Sequence, residues 1–459
     1  MLISSSVLVG VPASAAPRVY VDGRRLSLDS PVVTVDDRAL VPARAVFEAL
    51  GARVEWDPRD HRVTITADER RIELWVGLNL ARVNGVGIPV HPAPILVGGR
   101  VAVPVRFVQE SLGMRVEWDD RARAIRLYSG GPVAEEARAT LAFAGDVLLG
   151  YGAVAAMIEK YGVHHPWDHV RAVLTGADYT LANLECAIST RGQPQPGKQW
   201  TFRGKPETLE GMRAGGVDLV NLANNHVLDY GMDAFLDTLD HLDAYGIARV
   251  GGGRNLAEAL APHIWEKDGL RVGFLGAAAL YPMGWDATAS RPGVLVTHYE
   301  TTVMKAVRDL REAVDVVVVT VHWGEERATT PNAYQRRYAR ALVDNGAHLV
   351  IGHHPHVLQG MEVYRGSVIA YSLANFVFTF SGWEDSRDSI ILLATVDAGG
   401  VASVRIVPVA VAWPAKGTVT EVGRPRPLEG EEARRVIGKV ADRSRAWGTV
   451  FNEEGWLLP

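Results

Sequence analysis

The chain has 459 residues and a formal charge of −5, with 48 Lys and Arg against 53 Asp and Glu. That is room for two to four domains at ~100–200 residues each, without the basic footprint of a nucleic-acid binder or a polybasic run for an anionic membrane. Hydrophobic residues at 47% and charged residues at 22% fit a globular protein. The single cysteine, Cys186, excludes an intrachain disulfide and a cysteine-rich zinc site, so a metal here must use His, Asp, Glu, Asn or water.

Met1–Ala16 carries no charged side chain, contains the apolar stretch Val7–Val11 and ends in Ala13-Ser14-Ala15-Ala16. An apolar core before small residues reads as a signal peptide over 1–17, although the first basic residue is only Arg18. A tail of small residues is the other reading. No stretch reaches the ~18 apolar residues that span a bilayer, so an exported protein would attach to the cell surface through a domain or a partner, or not at all.

Residues 18–128 contain a repeat. Arg38–Arg44 (RALVPAR) returns as Arg100–Arg106 (RVAVPVR), and Leu50–Asp57 (LGARVEWD) returns as Leu112–Asp119 (LGMRVEWD). Upstream, Asp22-Gly23 and Asn84-Gly85 lie between alternating apolar residues, the pattern of type I′ hairpins. Pro42 and Pro104 fall at helix starts, where a missing N–H costs little, and Gly51 and Gly113 fall at helix ends. Each copy thus reads as hairpin, short helix, hairpin, and two copies sharing a core make a small α+β domain. Trp56 and Trp118 lie on alternating patterns and are expected as core anchors beside a turn; ligand stacking is the alternative.

This section resembles the paired, stalk-like repeat of copper amine oxidase N-terminal domains. The resemblance implies a spacer or cell-surface attachment module and carries no catalytic residues. Ser129-Gly130-Gly131-Pro132 opens a linker over 129–138.

From Thr140 the pattern changes. Strand candidates Thr140–Ala144, Asp178–Ala182, Val217–Leu222, Arg271–Leu275, Val316–Val321, Leu349–Gly352, Val368–Ser372 and Ile390–Val396 alternate with helical segments such as Met232–Tyr245, Thr301–Ala313 and Ala333–Asn345. Such alternation predicts βαβ units and a largely parallel central sheet, with antiparallel runs near Ser389–Val396 and Val401–Val411. Polar residues collect just past the strands: Asp146, Asn183, Glu185, Asn224, Asn225, His226, His322, His353, His354 and His356. Open α/β sheets bind ligands at that edge. Carboxylate, amide carbonyl and imidazole together suit Mn, Fe or Zn, and two ions held ~3.5–4 Å apart serve hydrolysis of a phosphoester.

The order Asp146, Glu185, Asn225-His226, His322, His354-x-His356 resembles the calcineurin-like metallophosphoesterases. The phrases Phe143–Leu149 (FAGDVLL), Ala182–Glu185 (ANLE), Asn221–Gly231 (NLANNHVLDYG), His322–Glu325 (HWGE), Gly352–Gln359 (GHHPHVLQ) and Tyr371–Phe376 (YSLANF) are similar to the CapA-type capsule-synthesis branch, linked to poly-γ-glutamate. The resemblance covers about residues 139–415 and implies an α/β fold, a four-layer αββα sandwich. It further implies one or two divalent ions (Mn, Fe or Zn) on Asp146, Glu185, Asn225, His322, His354 and His356. The sequence departs from the wider superfamily at Asp146-Val-Leu148, where Asp-x-His is usual, and at Glu185, where Asp is usual.

His226, next to Asn225, is read as the acid that protonates a leaving group; a hydrogen-bonded loop histidine is the alternative. The x-spacing of His354 and His356 puts both on one side of an extended chain and turns His353 away, as a structural residue. Asn183, Asn224, Arg203, Lys205 and Glu325 are candidate substrate contacts, with solvated loop residues as the other reading. His164, His165 and His169 read as surface residues and Cys186 as a small buried one. Residues 416–459 read as a C-terminal helical extension, with a helix over Gly430–Trp447.

Three functions remain from the sequence, one of them a surface-binding protein whose repeat domain does the main work; the other two concern the second section. One is an exported metal-dependent hydrolase of a phosphoester or an anionic polymer of capsule type. The other is a non-catalytic metal- or polymer-binding accessory of a capsule synthesis or export machinery. The Gly130-Gly131-Pro132 linker gives a first test. Limited proteolysis is expected to cut between Tyr128 and Thr140 and leave two folded fragments; one cooperative melt without such a cut would contradict the boundary.

Overall fold

The structure is a computed structural model that describes residues 17–67, 70–119, 123–129, 137–379, 384–412 and 422–458. The proposed cleavage region and most of the proposed linker lie outside the described residues. The chain divides into two compact units, Met1–Ala137 and Arg138–Pro459. No helix among the described residues is long and apolar enough to cross a membrane.

In the first unit the repeat becomes a pseudo-twofold. The strands Arg38–Pro42 and Arg100–Pro104 pair antiparallel, with Val41 opposite Val103, Leu40 opposite Pro104 and Pro42 opposite Ala102. Val41 therefore faces its own sequence equivalent, while Leu40 faces the equivalent of Pro42 and Pro42 that of Leu40, so the symmetry axis passes through the Val41–Val103 pair. Each strand runs directly into a helix, Ala43–Ala49 or Val105–Leu112, with the preceding proline at the N-cap position and no side-chain capping bond there. Gly51 (φ 78°) and Gly113 (φ 72°) take the left-handed turn after the helices. The hairpins turn through Asp22-Gly23 (φ 46°, 82°) and Asn84-Gly85 (φ 50°, 84°), both positive as type I′ requires. The copies also exchange edges: the closing strand of the second copy, Ala124–Tyr128, pairs parallel with the opening strand of the first, Arg18–Val21.

The shared core includes Val41, Val46, Phe47, Ile65, Ile72, Leu74, Val103 and Val108, all fully buried; burying a side chain such as Phe47 is worth about 1.5–3 kcal/mol. Trp56 is partly buried on this core and stacks on His61 at 6.1 Å. Trp118 is 48% exposed, so the expectation of a core anchor fails there. Its strand, Arg115–Asp119, is a sheet edge, and burial at an edge does not follow from alternation alone.

The second unit holds two mixed sheets rather than one central sheet. The first runs in the order Ala248–Val250, Leu219–Asn221, Tyr179–Leu184, Ala139–Val147, Asp388–Asp397, Gly400–Ala412, Val422–Pro427. Its first four strands are parallel and the last three are added antiparallel. The second runs His263–Lys267, Leu270–Ala278, Val316–His322, Leu349–His353, Ser367–Ala370, Met361–Tyr364, parallel in the middle and antiparallel at both edges. Val316–His322 is buried at every position, as a central strand covered on both faces must be.

The sheets face each other. Tyr179 of the first stacks on Trp265 and packs on Phe274 of the second, at 5.0 and 5.5 Å between centroids. On the outer face of the first sheet, Leu174, Leu209, Met212, Phe235, Leu239 and Leu242 come from helical segments and pack with Ala142, Ala182 and Val220. On the outer face of the second, Val303, Val307 and Leu310 of helix Glu300–Ala313 and Tyr338, Ala339 and Leu342 of helix Ala333–Asp344 pack on Val317, Val319, Val321 and Val350. The result is a four-layer αββα sandwich.

The tail is more than a helical extension. Val422–Pro427 forms the seventh strand of the first sheet, and two prolines are tolerated because it is the edge. The helix is Gly430–Ser444, with a 3₁₀ turn to Trp447. It buries Val436, Ile437 and Val440, and Arg435 and Lys439 both grip the Asp388 carboxylate. Truncation after residue 421 is therefore expected to remove the cooperative unfolding transition of the second unit, read by circular dichroism. A truncated chain that melts like the full one would show that this tail is dispensable.

Candidate metal centre

Parallel strands from both sheets deliver their carboxyl ends to one place. Asp146 comes from Ala139–Val147, Asn183 and Glu185 from Tyr179–Leu184 and the residue after it, Asn221 from Leu219–Asn221, His322 from Val316–His322 and His353 from Leu349–His353. The sheets can close here because of two glycines. A Cβ on Gly145 would stand 2.0 Å from the Ala374 carbonyl oxygen, and one on Gly352 would stand 2.0 Å from that of Tyr371. The segment Tyr371–Phe376 lies against both.

Asp146, Glu185, Asn225, His322, His354 and His356 come together. Glu185, His322 and His354 offer ligand atoms all within 4.8 Å of one another, and so do Asp146, Glu185 and His356. Glu185 belongs to both trios. His322 Nε2 lies 3.5 Å from Glu185 Oε1 and 2.8 Å from Asn225 Oδ1. His356 Nδ1 lies 3.4 Å from Asp146 Oδ2, and the His354 N–H donates to the same oxygen at 3.3 Å. His354 and His356 reach the centre through left-handed backbone (φ 96° and 57°), not through an extended chain. That turn also overturns the reading of His353: its buried ring puts Nδ1 3.4 Å from Asp146 Oδ1, inside the cluster.

The electrostatics of the cluster are those of a cation site. Both carboxylate oxygens of Glu185, Nδ1 of His354 and both ring nitrogens of His353 are buried without a hydrogen-bond partner in the protein. Leaving such groups unsatisfied costs ~1–3 kcal/mol each, more for a charge. Burial, and then the nearby Asp146, push the Glu185 carboxyl well above its ordinary range. Burial acts on Asp146 in the same direction, but the His353 and His356 imidazoles outweigh it and hold its carboxyl well below. Burial, with His354 next, holds His322 far down, and burial with His356 pushes His354 down to about 3. Both therefore stand as neutral imidazoles, the form that ligates a metal; Nδ1 of His354 has no partner in the protein, while His322 Nε2 meets Asn225 Oδ1 and its Nδ1 meets Asn183 Nδ2 at 3.3 Å. His356 rises to about 9: burial lowers it, but Glu185 and Asp146 prevail. A divalent ion fits these residues, since it would supply the positive charge that Glu185 lacks.

Around the cluster runs a belt of amides. Asn183 Nδ2 donates to Asp146 Oδ1 at 2.8 Å, its Oδ1 accepts from Asn221 Nδ2 at 3.1 Å, and Asn224 Nδ2 donates to the Leu184 carbonyl at 2.8 Å. Asn183 and Asn224 are thus buried and spent inside the protein, where substrate contacts were expected. Arg203 is also committed: it donates to the Arg191 carbonyl at 2.8 Å and lies 4.2 Å over the Tyr230 ring. Lys205 and Glu325 are exposed.

His226 is 7% exposed and stacks on Phe202 at 4.2 Å. Its Nδ1 lies 2.6 Å from Asp229 Oδ2, and Lys198 holds both the Asp229 carboxylate and the Asn225 carbonyl. Burial lowers its proton affinity more than Asp229 raises it. His226 also lies within electrostatic reach of His354 and His356. Sequence reasoning did not single out Asp229, Lys198, Asn221 or Asn375. All but Lys198 sit inside the quoted phrases; Lys198 sits in a Pro- and Gly-containing loop with no pattern of its own. Away from the centre, His164 and His165 face Glu210 and Asp168 at 3.6 and 3.5 Å. The Cys186 thiol is buried, which pushes it up to about 12.

The fold and this centre define a four-layer αββα protein with a buried His, Asp and Glu cluster at the joined edge of its sheets. The chain belongs to the bacterial capsule synthesis protein family PGA_cap, whose model matches residues 140–379. Residues 20–127 match the copper amine oxidase N-terminal domain. The capsule biosynthesis protein CapA of Bacillus anthracis is 30% identical over 342 residues, 72% of this chain and 79% of that one. The PGA biosynthesis protein CapA of Bacillus subtilis is 31% identical over 313 residues, 67% and 79%. Among solved structures, the chain is similar to a 5′-nucleotidase of Staphylococcus aureus, described there as putative, at 12% identity, 67% and 58% coverage and a TM-score of 0.39.

The glycine contacts at the sheet edge give a prediction. Gly145→Ala and Gly352→Ala each force a Cβ into a carbonyl oxygen, and overpacking costs ~1–3 kcal/mol or more. Each is expected to lower the melting temperature of the second unit by several degrees; unchanged melting would show that the Tyr371–Phe376 segment gives way freely.

Proposed function

We propose that this protein is an exported, metal-dependent hydrolase of capsule-polymer metabolism, acting on a phosphoester or on a linkage of an anionic polymer of the poly-γ-glutamate type. The observation that carries the reading is the pair of trios sharing Glu185, with both of its oxygens buried and unpartnered. Glu185, His322, His354 and Asn225 would hold one ion, and Asp146, Glu185 and His356 a second; imidazole with carboxylate suits Mn, Fe or Zn. When bound, such ions supply Lewis-acid polarisation and charge neutralisation for hydrolysis.

The chain's own residues do the rest. Asp229 accepts a hydrogen bond from His226 Nδ1–H and fixes the ring, while Phe202 stacks on its face. When its ring is protonated on both nitrogens, His226 can deliver the Nε2 proton to a leaving group, and burial, which lowers its proton affinity, makes that proton easier to give. Asn183 holds Asp146 in place from the first sheet. The relatives named for capsule and PGA biosynthesis support the polymer as substrate class, with Lys205 and Glu325 as exposed candidates for contact with it. Attachment to the cell surface through the repeat unit, and partners in capsule synthesis or export, belong to the same proposal.

A second reading, a non-catalytic accessory that binds metal or polymer, is favoured by one observation. Leu148 stands where the wider superfamily places a histidine ligand, and it is fully buried in the apolar core. Elemental analysis and a panel of phosphomonoester, phosphodiester and γ-glutamyl substrates separate the two. The wild type is expected to carry divalent metal and turn over at least one substrate class. His354→Ala and His356→Ala are expected to lose metal and activity together. His226→Ala is expected to keep its metal and lose ~10²–10⁴-fold in turnover. Metal without turnover on any substrate would favour the accessory, and protein purified without divalent metal that also fails to take it up would end the metal reading.

A further inference from the structure

The segment Tyr371–Phe376 does more than fill the gap between the sheets. The Asp146 N–H donates to the Ala374 carbonyl at 3.0 Å, and the Phe376 N–H donates to the Asp146 carbonyl at 2.8 Å. These bonds bracket Asp146 from the backbone side. Between them stands Asn375, 4% exposed, whose Oδ1 lies 2.8 Å from His356 Nδ1. Ala374 reaches this geometry at φ 66°, a left-handed conformation unusual for a residue with a side chain, and Ser372 Oγ accepts its N–H at 3.2 Å. Strained backbone of this kind persists where surrounding contacts over-determine it. Here those contacts are Gly145 on one side and Gly352 on the other.

We infer that Asn375 is a positioning residue of the metal centre: its Oδ1 accepts a hydrogen bond from His356 Nδ1, a nitrogen that also lies 3.4 Å from Asp146 Oδ2, and so holds the His356 ring in one orientation at the cluster. An amide oxygen is the fitting acceptor, because a carbonyl oxygen cannot give a proton back to Nδ1 and so holds one orientation of the ring. The same three residues thus hold a ligand of the first sheet through its backbone and a ligand following the second sheet through its ring. Partners of this kind, behind a ligating histidine, typically account for 10–100-fold in metal affinity.

This inference rests on the metal-centre reading, and the test keeps the two apart. The full chain, stripped of metal, is titrated with Mn²⁺ alone and with Zn²⁺ alone against a competing chelator. Asn375→Leu, which keeps the volume and removes the acceptor, is expected to raise the dissociation constant 10–100-fold. Asn375→Asp, which keeps an acceptor oxygen, is expected to stay within about threefold of wild type. Asn375→Ala serves as the second acceptor-free variant should the leucine not be accommodated. Crystal structures of the metal-free wild type and acceptor-free variant form the other arm, with the His356 ring expected to turn away from its wild-type orientation in the variant. Wild-type affinity in both acceptor-free variants, or an unmoved His356 ring, overturns the role of Asn375. If the wild type binds neither ion, the metal-centre reading falls, and the ring orientation still decides whether Asn375 positions His356.

Discussion

The carboxylate of Glu185 is the constraint on which this part of the molecule depends. It is fully buried, both oxygens lack a partner in the protein, and its neighbours include a second buried carboxylate, Asp146. A charge in that position is affordable only next to a cation. His356 provides one, being raised to about 9, but it serves Asp146 as well. His322 and His354 are held neutral. The two carboxylates share that one imidazolium; a bound divalent ion would replace its proton as their counter-charge, and the neutral imidazoles offer lone pairs to such an ion. The amide belt of Asn183, Asn221 and Asn224 follows from the same constraint. Amides orient ligands without adding charge, where lysine or arginine would compete with the ion.

Geometry imposes its own demand. Ligands from two sheets can converge only if the sheet edges approach closely, and the approach is bought with backbone: glycine at 145 and 352, left-handed turns at His354, His356 and Ala374. Non-glycine residues in that conformation are costly, and their concentration at one place is the mark of a functional site. The strain is carried by contacts behind the site, from the Ser372 and Ser389 hydroxyls to the buried Gln335–Gln359 amide pair. The helix Gly430–Ser444 contributes too, since its Ser444 and Arg443 take up the Met361 N–H and the Leu358 carbonyl.

What could be read from the sequence divides along the range of the interaction. The strand Val316–His322 declares itself by the β-branched run Val316–Val321 and Leu349–His353 by its apolar start Leu349–Ile351, and ligands at their ends follow from the strand-end rule. The hairpins and helix stops of the repeat declare themselves by Asp-Gly, Asn-Gly and Leu-Gly. Pairing between distant strands has no local signature, so residue patterns suggest one central sheet, and only the resemblance to a family suggests two. Val422–Pro427 reads against a strand because of its prolines, which only its place at an edge permits. His353 faces the cluster, against the extended-chain expectation, because the chain turns immediately after it.

The residues that the sequence hid share one property: each acts on another residue and not on a ligand. Asp229 is three positions beyond His226, and its role depends on a turn in which the Asp229 N–H donates to the His226 carbonyl at 3.1 Å. Lys198 is meaningful only because a loop with no regular structure carries it back onto Asp229 and the Asn225 carbonyl. With its ammonium there, the Asp229 carboxylate has a counter-charge besides His226, so its hold on His226 Nδ1 does not depend on His226 being charged. A histidine fixed in this way has a defined tautomer, with hydrogen on Nδ1 and a free Nε2 when neutral. Asn375 applies the same device to His356 on the other side of the centre. The chain thus uses one means twice, an oxygen acceptor on Nδ1: a carboxylate at the histidine for which we propose acid catalysis, and an uncharged amide at the one for which we propose metal ligation.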